Sequence, residues 1–241
     1  MAHDGTAEKT FRFKQFSVTG GGEAMGVGTD GVLLGAWAEI PAAPCRILDI
    51  GTGSGLIALM LAQRAPQAAV TGIDINAGAI AVARRNAMRS AFPRKPEFIC
   101  HDIRDFRPAA TYDMIVSNPP FFPTGAPARS TARSLARSFE TLTPRQLVHS
   151  AGKLARDGAL FAVIVPAGIA GDFEYTAWEE DFTLARRTDV VTREGKAAKR
   201  ALLQFAKGGK PMTPRRDALV LQRADGRRSE GYLRLTGDFY L

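Results

Sequence analysis

Cysteine is scarce: Cys45 and Cys100 are the only two in 241 residues. Two thiols exclude a disulfide framework and a four-cysteine zinc site. Each sits beside an apolar run, so both are expected to be small buried core residues. The three histidines, His3, His101 and His149, lack metal-ligand spacing, and no metal is expected. Long apolar runs are also missing. The uncharged stretch Gly158 to Gly171 contains Pro166 and falls short of the ~20 residues of a membrane span. Met1 to Lys14 holds no apolar core, so no secretory signal and a cytoplasmic location are expected. Acidic residues are the minority, 24 against 32 basic, for a net charge of +8. With 45% hydrophobic and 23% charged residues, the composition excludes a disordered chain.

What is present is alternation. Strand-length apolar runs occur at Cys45–Ile50, Ala69–Ile75, Glu97–Cys100, Tyr112–Ser117 and Ala159–Val165. Helical patterns at Leu56–Arg64, Ala77–Ser90 and Pro144–Leu154 separate most of them. This order predicts an α/β fold whose mostly parallel sheet carries helices on both faces. Phe182–Val191, Arg200–Phe205 and Ala218–Gln222 follow without helix-length spacers and predict antiparallel strands finishing the sheet. The glycine-rich segment Phe11 to Trp37 reads as loops around short elements.

One turn carries a ligand signal. The strand Arg46–Ile50 runs into Gly51-Thr52-Gly53-Ser54-Gly55-Leu56, and a helix follows. Glycines at such a turn let a ligand approach the backbone where Cβ atoms would clash. The spacing is GxGxG; Leu56 stands where the dinucleotide fingerprint needs a further glycine. The next strand ends at Asp74, whose carboxylate suits the two hydroxyls of a ribose. Asn76 is the expected N-cap of the next helix. With Asp49 ahead of the glycines, the pattern looks like the S-adenosylmethionine site of class I methyltransferases.

The strand Asp113–Ser117 ends in Asn118-Pro119-Pro120-Phe121. Ligands of parallel sheets lie beyond the carboxyl ends of the strands, where these prolines stop the chain. Pro119 holds Asn118 extended. An exocyclic amino group is a poor nucleophile because its lone pair is delocalised into the ring. Two acceptors, the Asn118 side-chain oxygen and the Pro119 carbonyl, can hold both its hydrogens and aim the lone pair at a methyl donor. Phe121 supplies a face on which an extruded base stacks.

Here the chain resembles the NPP(F/Y) amino-methyltransferases, and among them most closely the bacterial tRNA1(Val) adenine-N6 methyltransferases. The likeness rests on Phe13-Lys14-Gln15-Phe16 and on the block from Met25 through Thr29-Asp30-Gly31-Val32-Leu33-Leu34-Gly35-Ala36-Trp37. It continues in the glycine loop, Ala58 to Gln63, Ser117 to Phe121, and the terminal Phe239-Tyr240-Leu241. The resemblance implies one Rossmann-like class I methyltransferase domain built on a seven-stranded sheet. Residues 1–43 would form an extension closing the cofactor pocket, and residues 44–241 the core. It implies S-adenosylmethionine as cofactor, tRNA as partner, and adenine N6 next to the valine anticodon as target. By carry-over, Thr29 and Asp30 help close the pocket, and Asp102 takes the cofactor's adenine amino group. Asp49, Gly51, Gly53, Gly55 and Asp74 complete the cofactor set. Stretch 123–145 departs from the family pattern and is expected to select the substrate. An rRNA guanine-N2 methyltransferase and a protein glutamine-N5 methyltransferase share the NPPF tip and stay open as alternatives.

The charge is uneven. From Leu184 to Arg234, 14 basic and 5 acidic residues give +9; the remainder, 18 against 19, gives −1. Arg186, Arg187, Lys199, Arg200, Arg215 and Arg216 are expected to contact RNA, with Arg227 and Arg228 in the same cluster. Arg129, Arg133 and Arg137, four apart, would form a second stripe beside Phe121. Trp37 and Trp178 are expected to be packing residues.

Overall fold

The computed structural model describes residues 9–21, 24, 26–119, 142–209 and 213–240. Eight strands form one sheet: β3 (Arg46–Ile50), β4 (Ala69–Asp74), β5 (Glu97–Cys100), β6 (Tyr112–Ser117), β7 (Ala155–Pro166), β8 (Phe182–Val191), β9 (Ala198–Lys207) and β10 (Arg215–Val220). Their order is β10-β8-β9-β7-β6-β3-β4-β5. A separate antiparallel hairpin, β1 (Lys9–Arg12) with β2 (Ser17–Gly20), precedes them. The chain winds outward from β3 in both directions, so the reversal between β3 and β6 opens a crevice beyond their carboxyl ends.

The mostly parallel class I arrangement holds, with eight strands in place of seven. The antiparallel ladders are those of β9 with β7 and β8. The last strand differs from expectation: β10 pairs with β8 in parallel. The reason is topological. The chain leaves β9 at the amino end of the sheet and passes β8 before re-entering, so it runs the way β8 runs.

Helices cover both faces. Along β3, Ile47 joins one apolar layer and Leu48 the other, as a strand buried on both sides requires. The first layer packs α1 (Thr29–Trp37), α2 (Leu56–Arg64) and α3 (Ala77–Arg89). The second packs α4 (Pro144–Leu154) and α5 (Ala170–Glu179). A final helix, α6 (Glu230–Thr236), adds Tyr232 to the first layer. Asn76 caps α3 as expected, accepting from the Gly78 and Ala79 amides at 2.8 and 3.1 Å. Thr143 and Gln146 form a reciprocal capping box at the start of α4. No described helix is long and apolar enough to cross a membrane.

Among the described residues the N-terminal block holds short elements, the β1–β2 hairpin and α1. Every residue of α1 from Gly31 to Trp37 is buried, and a helix buried all round has no polar face for periodicity to reveal. Gly31 and Gly35 let α1 lie tightly on α2. A Cβ at Gly35 would come within 2.7 Å of Met60 Sδ, and one at Gly31 within 3.0 Å of a Leu56 methyl. Arg64 donates to the Gly35 and Ala38 carbonyls at 2.8 and 2.7 Å, satisfying the end of α1. The Lys14 amide donates to the Phe239 carbonyl at 2.8 Å, and Phe13 stacks with Tyr240. The two ends of the family signature therefore meet in space.

Two further expectations change. Cys45 is buried, whereas Cys100 is exposed at the tip of β5, the edge strand of the sheet. Trp37 packs as expected and donates to Thr188 Oγ1 at 2.8 Å. Trp178 is 67% exposed beside Tyr175 on the outer face of α5.

Candidate functional site

Three strand tips and the start of α1 converge at the crevice. Gly51, Gly53 and Gly55 adopt φ of +71°, +55° and +82°, a region that disfavours side-chain-bearing residues. Above Gly51 and Gly53 a Cβ would meet nothing within 4 Å, so the loop presents bare backbone to open space. Beneath it the packing is dense: a Cβ at Gly72 would stand 2.6 Å from the Phe98 ring and 2.7 Å from Thr52 Oγ1. The loop is tied to β4 through the Ile73 carbonyl, which accepts from the Gly51 and Thr52 amides at 2.9 and 3.0 Å. Asp74 completes the tie, its Oδ2 accepting from the Gly53 amide and its Oδ1 from the Asn76 amide, both at 2.9 Å. Ile75, directly after it, is 46% exposed and offers an apolar surface at the strand tip.

Asp49 lies under the loop, not in the open space. It is fully buried, and its Oδ2 accepts from the Thr52 hydroxyl at 2.6 Å while Oδ1 has no partner among the described residues. Burial pushes its carboxyl up to about 7, against the opposing Thr52 hydrogen bond. An acid whose folded-state pKa is raised favours the fold while protonated. That stability is lost as pH rises from the unfolded value of about 4 toward 7, costing about 4 kcal/mol at most. Asp49→Asn is therefore expected to gain thermal stability over the parent as pH rises from 5 to 8.5 without ligand. Differential scanning fluorimetry across that range checks it; a stability difference flat with pH would refute the buried-acid reading.

The β6 tip completes the site. Ser117, buried, donates to the Ile50 carbonyl at 2.9 Å and locks β6 to β3 at their ends. Asn118 follows, half-buried, with no hydrogen-bonding partner for its side chain among the described residues. A Cβ at Gly31 would lie 3.8 Å from Asn118 Nδ2, so the first turn of α1 borders the asparagine. Thr29 and Asp30 precede Gly31 in that same first turn of α1. Asp30 Oδ2 is held by Arg200 Nε at 2.8 Å. Pro120 and Phe121 lie outside the described residues.

Residues 32–166 match the methyltransferase small domain family. The chain is 40% identical over 232 residues to the tRNA1(Val) (adenine(37)-N6)-methyltransferase of Aeromonas hydrophila, covering 96% of this chain and 97% of that protein. It is 37% identical to the enzyme of the same name from Bacteroides thetaiotaomicron, covering 98% of each. This chain belongs to the tRNA1(Val) (adenine(37)-N6)-methyltransferase family. Solved structures agree on the fold. A predicted O-methyltransferase of Agrobacterium tumefaciens superposes with a TM-score of 0.68 at 20% identity, covering 87% of this chain and 96% of that one. The T. thermophilus 16S rRNA N2 G1207 methyltransferase, solved with AdoMet and guanosine, gives 0.58 at 21% identity, covering 83% and 50%.

For a member of this family the remaining expected residues are placed unevenly. Asp102 follows β5, where the His101 amide donates to the Asp74 carbonyl at 3.0 Å. Its carboxylate grips the Arg104 guanidinium, which holds it below the ordinary carboxylate range. Two residues that sequence reasoning missed support the loop. Asn86, buried on the apolar face of α3, donates to the Ser54 and Thr19 carbonyls at 2.9 and 3.0 Å, joining the glycine loop to the hairpin. A polar residue in register with Ile80 and Ala83 is the signal that could have found it. Thr52 is the other, between two glycines.

The basic residues divide in a way the sequence hid. Arg186 pairs with Glu39 and Asp217 at 3.5 and 3.6 Å and lies over the Trp37 ring. Arg215 pairs with the same Glu39. On the opposite face Arg187 pairs with Glu174 and Asp189, both at 2.8 Å, and Arg216 with Glu174 at 3.4 Å. These four arginines, expected on RNA, are engaged by carboxylates along the strands. Lys199 is exposed and has no acidic partner among the described residues. Arg129, Arg133 and Arg137 lie outside the described residues.

Proposed function

We propose that this chain methylates N6 of adenine 37 in tRNA1(Val), with S-adenosylmethionine as the donor. The observation that carries the reading is Asn118 at the end of β6, its amide free of described partners and bordered by the start of α1 at the mouth of an open glycine loop. The cofactor fits the residues present. Bare backbone at Gly51 and Gly53 leaves room for a bulky ligand, and Asp74 stands at the distance of one strand with an ionisable acceptor for a ribose. Ile75 gives an apolar face for an adenine ring, and Asp102, kept ionised by Arg104, can accept from its amino group. Asp49 acts from below by holding Thr52. When bound, S-adenosylmethionine supplies a methyl group activated on a sulfonium.

The chain's own work is to orient the acceptor. Asn118 Oδ1 and the Pro119 carbonyl take the two N6 hydrogens, draw the nitrogen toward tetrahedral geometry and aim its lone pair away from the ring. Two fixed neutral acceptors need no reorganisation as positive charge grows on nitrogen, which lowers the barrier without a strong base. The surplus proton leaves to water. Phe121 is assigned the stacking face for the extruded base.

Nucleoside mass spectrometry of tRNA from a strain lacking this gene, and of tRNA1(Val) transcript treated with the purified protein, tests the reading. N6-methyladenosine absent from the first and formed in the second is the expected result. Formation of N2-methylguanosine, or labelling of protein alone, would overturn it.

A further inference from the structure

The pairing of the mid-strand arginines leaves the +9 of the C-terminal region unaccounted for, and the register shows where it emerges. Strand β9 runs opposite to β7, and its Arg200 lies beside Pro166 at the carboxyl end of β7. On the other side Val190 pairs with Arg200 and Val191 with Ala198, so the turn 192–197 projects beyond the same edge as Asn118. Leu219 and Val220 pair with Val190 and Val191, which sends segment 221–229 out at that edge too.

The two segments are stitched into one platform. The Glu194 amide donates to the Gln222 carbonyl at 2.9 Å, and the Glu194 carboxylate accepts from the Ala224 amide at 3.0 Å. Arg193 reaches the Ala224 carbonyl, and the Arg223 amide donates to the Arg227 carbonyl at 2.9 Å. Residues 192–200 and 221–229 contain seven basic residues (Arg193, Lys196, Lys199, Arg200, Arg223, Arg227, Arg228) and two acidic ones, Glu194 and Asp225. All the basic ones except Arg200 are exposed. Lys196, Lys199 and Arg223 have no acidic partner among the described residues, and Arg227 has only Asp225 at 4.0 Å. Of the two acids, Glu194 is spent on fastening the platform.

We infer that this rim, formed by the 192–200 and 221–229 segments, is the surface that grips the phosphate backbone of the RNA stem flanking the target base. The inference rests on the RNA reading above and deepens it. At a strand spacing of about 4.8 Å, β8 and β10 lie roughly 14 and 19 Å from β6 across the sheet. A base drawn out to Asn118 therefore leaves the neighbouring nucleotides within reach of Lys199 first, and of Arg223 and Arg227 further along. Arg200, tied to Asp30, links the rim to the first turn of α1 at the pocket. The mid-strand arginines are neutralised by carboxylates, while the exposed cations exchange counterions for phosphates.

The test compares the parent with a Lys196→Gln, Lys199→Gln, Arg223→Gln, Arg227→Gln variant and with an Arg94→Gln, Lys95→Gln control at the opposite end of the sheet. Binding of tRNA1(Val) transcript is followed against salt, with methyl transfer measured in parallel. The rim variant is expected to bind 10- to 100-fold more weakly at moderate salt, with a log–log salt slope shallower by about 2 to 3. Its KM for RNA rises while kcat at saturation stays within about twofold, and the control matches the parent. Since the four side chains are exposed, melting temperature should hold; a single Lys199→Gln variant, with a proportionally smaller shift in slope, covers the case where it does not. Unchanged affinity and slope in the rim variant would overturn the assignment. A parent that binds this RNA with the expected slope but methylates no adenine would instead defeat the functional reading and leave the rim standing.

Discussion

Asn118→Ala should lower the single-turnover rate of methyl transfer to tRNA1(Val) by about 10³-fold while changing cofactor affinity by less than about threefold. The magnitude follows from what the side chain does. A fixed group aimed at charge that develops only in the transition state is worth about two to three orders of magnitude when deleted. The selectivity follows from where it sits: Asn118 is on β6, whereas the acceptors assigned to the cofactor lie on β4 and in the glycine loop. Truncation should leave the strand end intact, because the lock between β6 and β3 is made by Ser117 and Ile50. Isothermal titration with S-adenosylhomocysteine reads cofactor binding, and rapid-quench labelling reads the transfer. A variant that retains full rate, or that loses the cofactor, would remove Asn118 from the acceptor role.

The second large effect is on cofactor binding. Asp74→Ala should weaken S-adenosylhomocysteine by about 10- to 100-fold. The carboxylate receives the Gly53 and Asn76 amides and is itself buried to 6% exposure. Its removal leaves two amides short of an acceptor, at a cost of about 1–3 kcal/mol each where they stay desolvated, and loosens the glycine loop as well. It also deletes the carboxyl oxygens assigned to the ribose. Transfer at saturating cofactor should recover to within several-fold, since the acceptor geometry at Asn118 stays in place. The same titration checks it, and an unaltered dissociation constant would refute the ribose role.

Both effects concern elements whose character was readable along the chain. Asp74 closes an apolar strand and precedes an asparagine cap, and Asn118 precedes two prolines, so each is a strand end followed by a stop. Such local chemistry survives folding because the backbone must turn there whatever else surrounds it. Less local features were harder to read. α5 is hard to read along the chain because Tyr175 and Trp178, both exposed, break the apolar period that Phe173 and Ala177 would otherwise set. α1 was hidden by its own complete burial. The place of Asp49 before the glycines is visible along the chain, whereas its position beneath them depends on Thr52 folding over it.

The charge that opened as a surplus of basic residues makes the division clearest. Sequence alone determined the alternation of strands and helices, the two motifs at strand ends, the family, and the concentration of +9 in the C-terminal region. Those are properties of local order and of sums. Which of those charges remain available was decided only by tertiary structure. Arg186 and Arg215 meet Glu39 from a helix end more than 140 positions earlier, and Arg187 and Arg216 meet Glu174 across the other face. The physical reason is that alternation in a strand sends adjacent arginines to opposite faces, and each face carries its own carboxylates from distant elements. Cancellation of charge is a pairwise matter in space, and it leaves Lys196, Lys199, Arg223 and Arg227 at the rim beside the pocket.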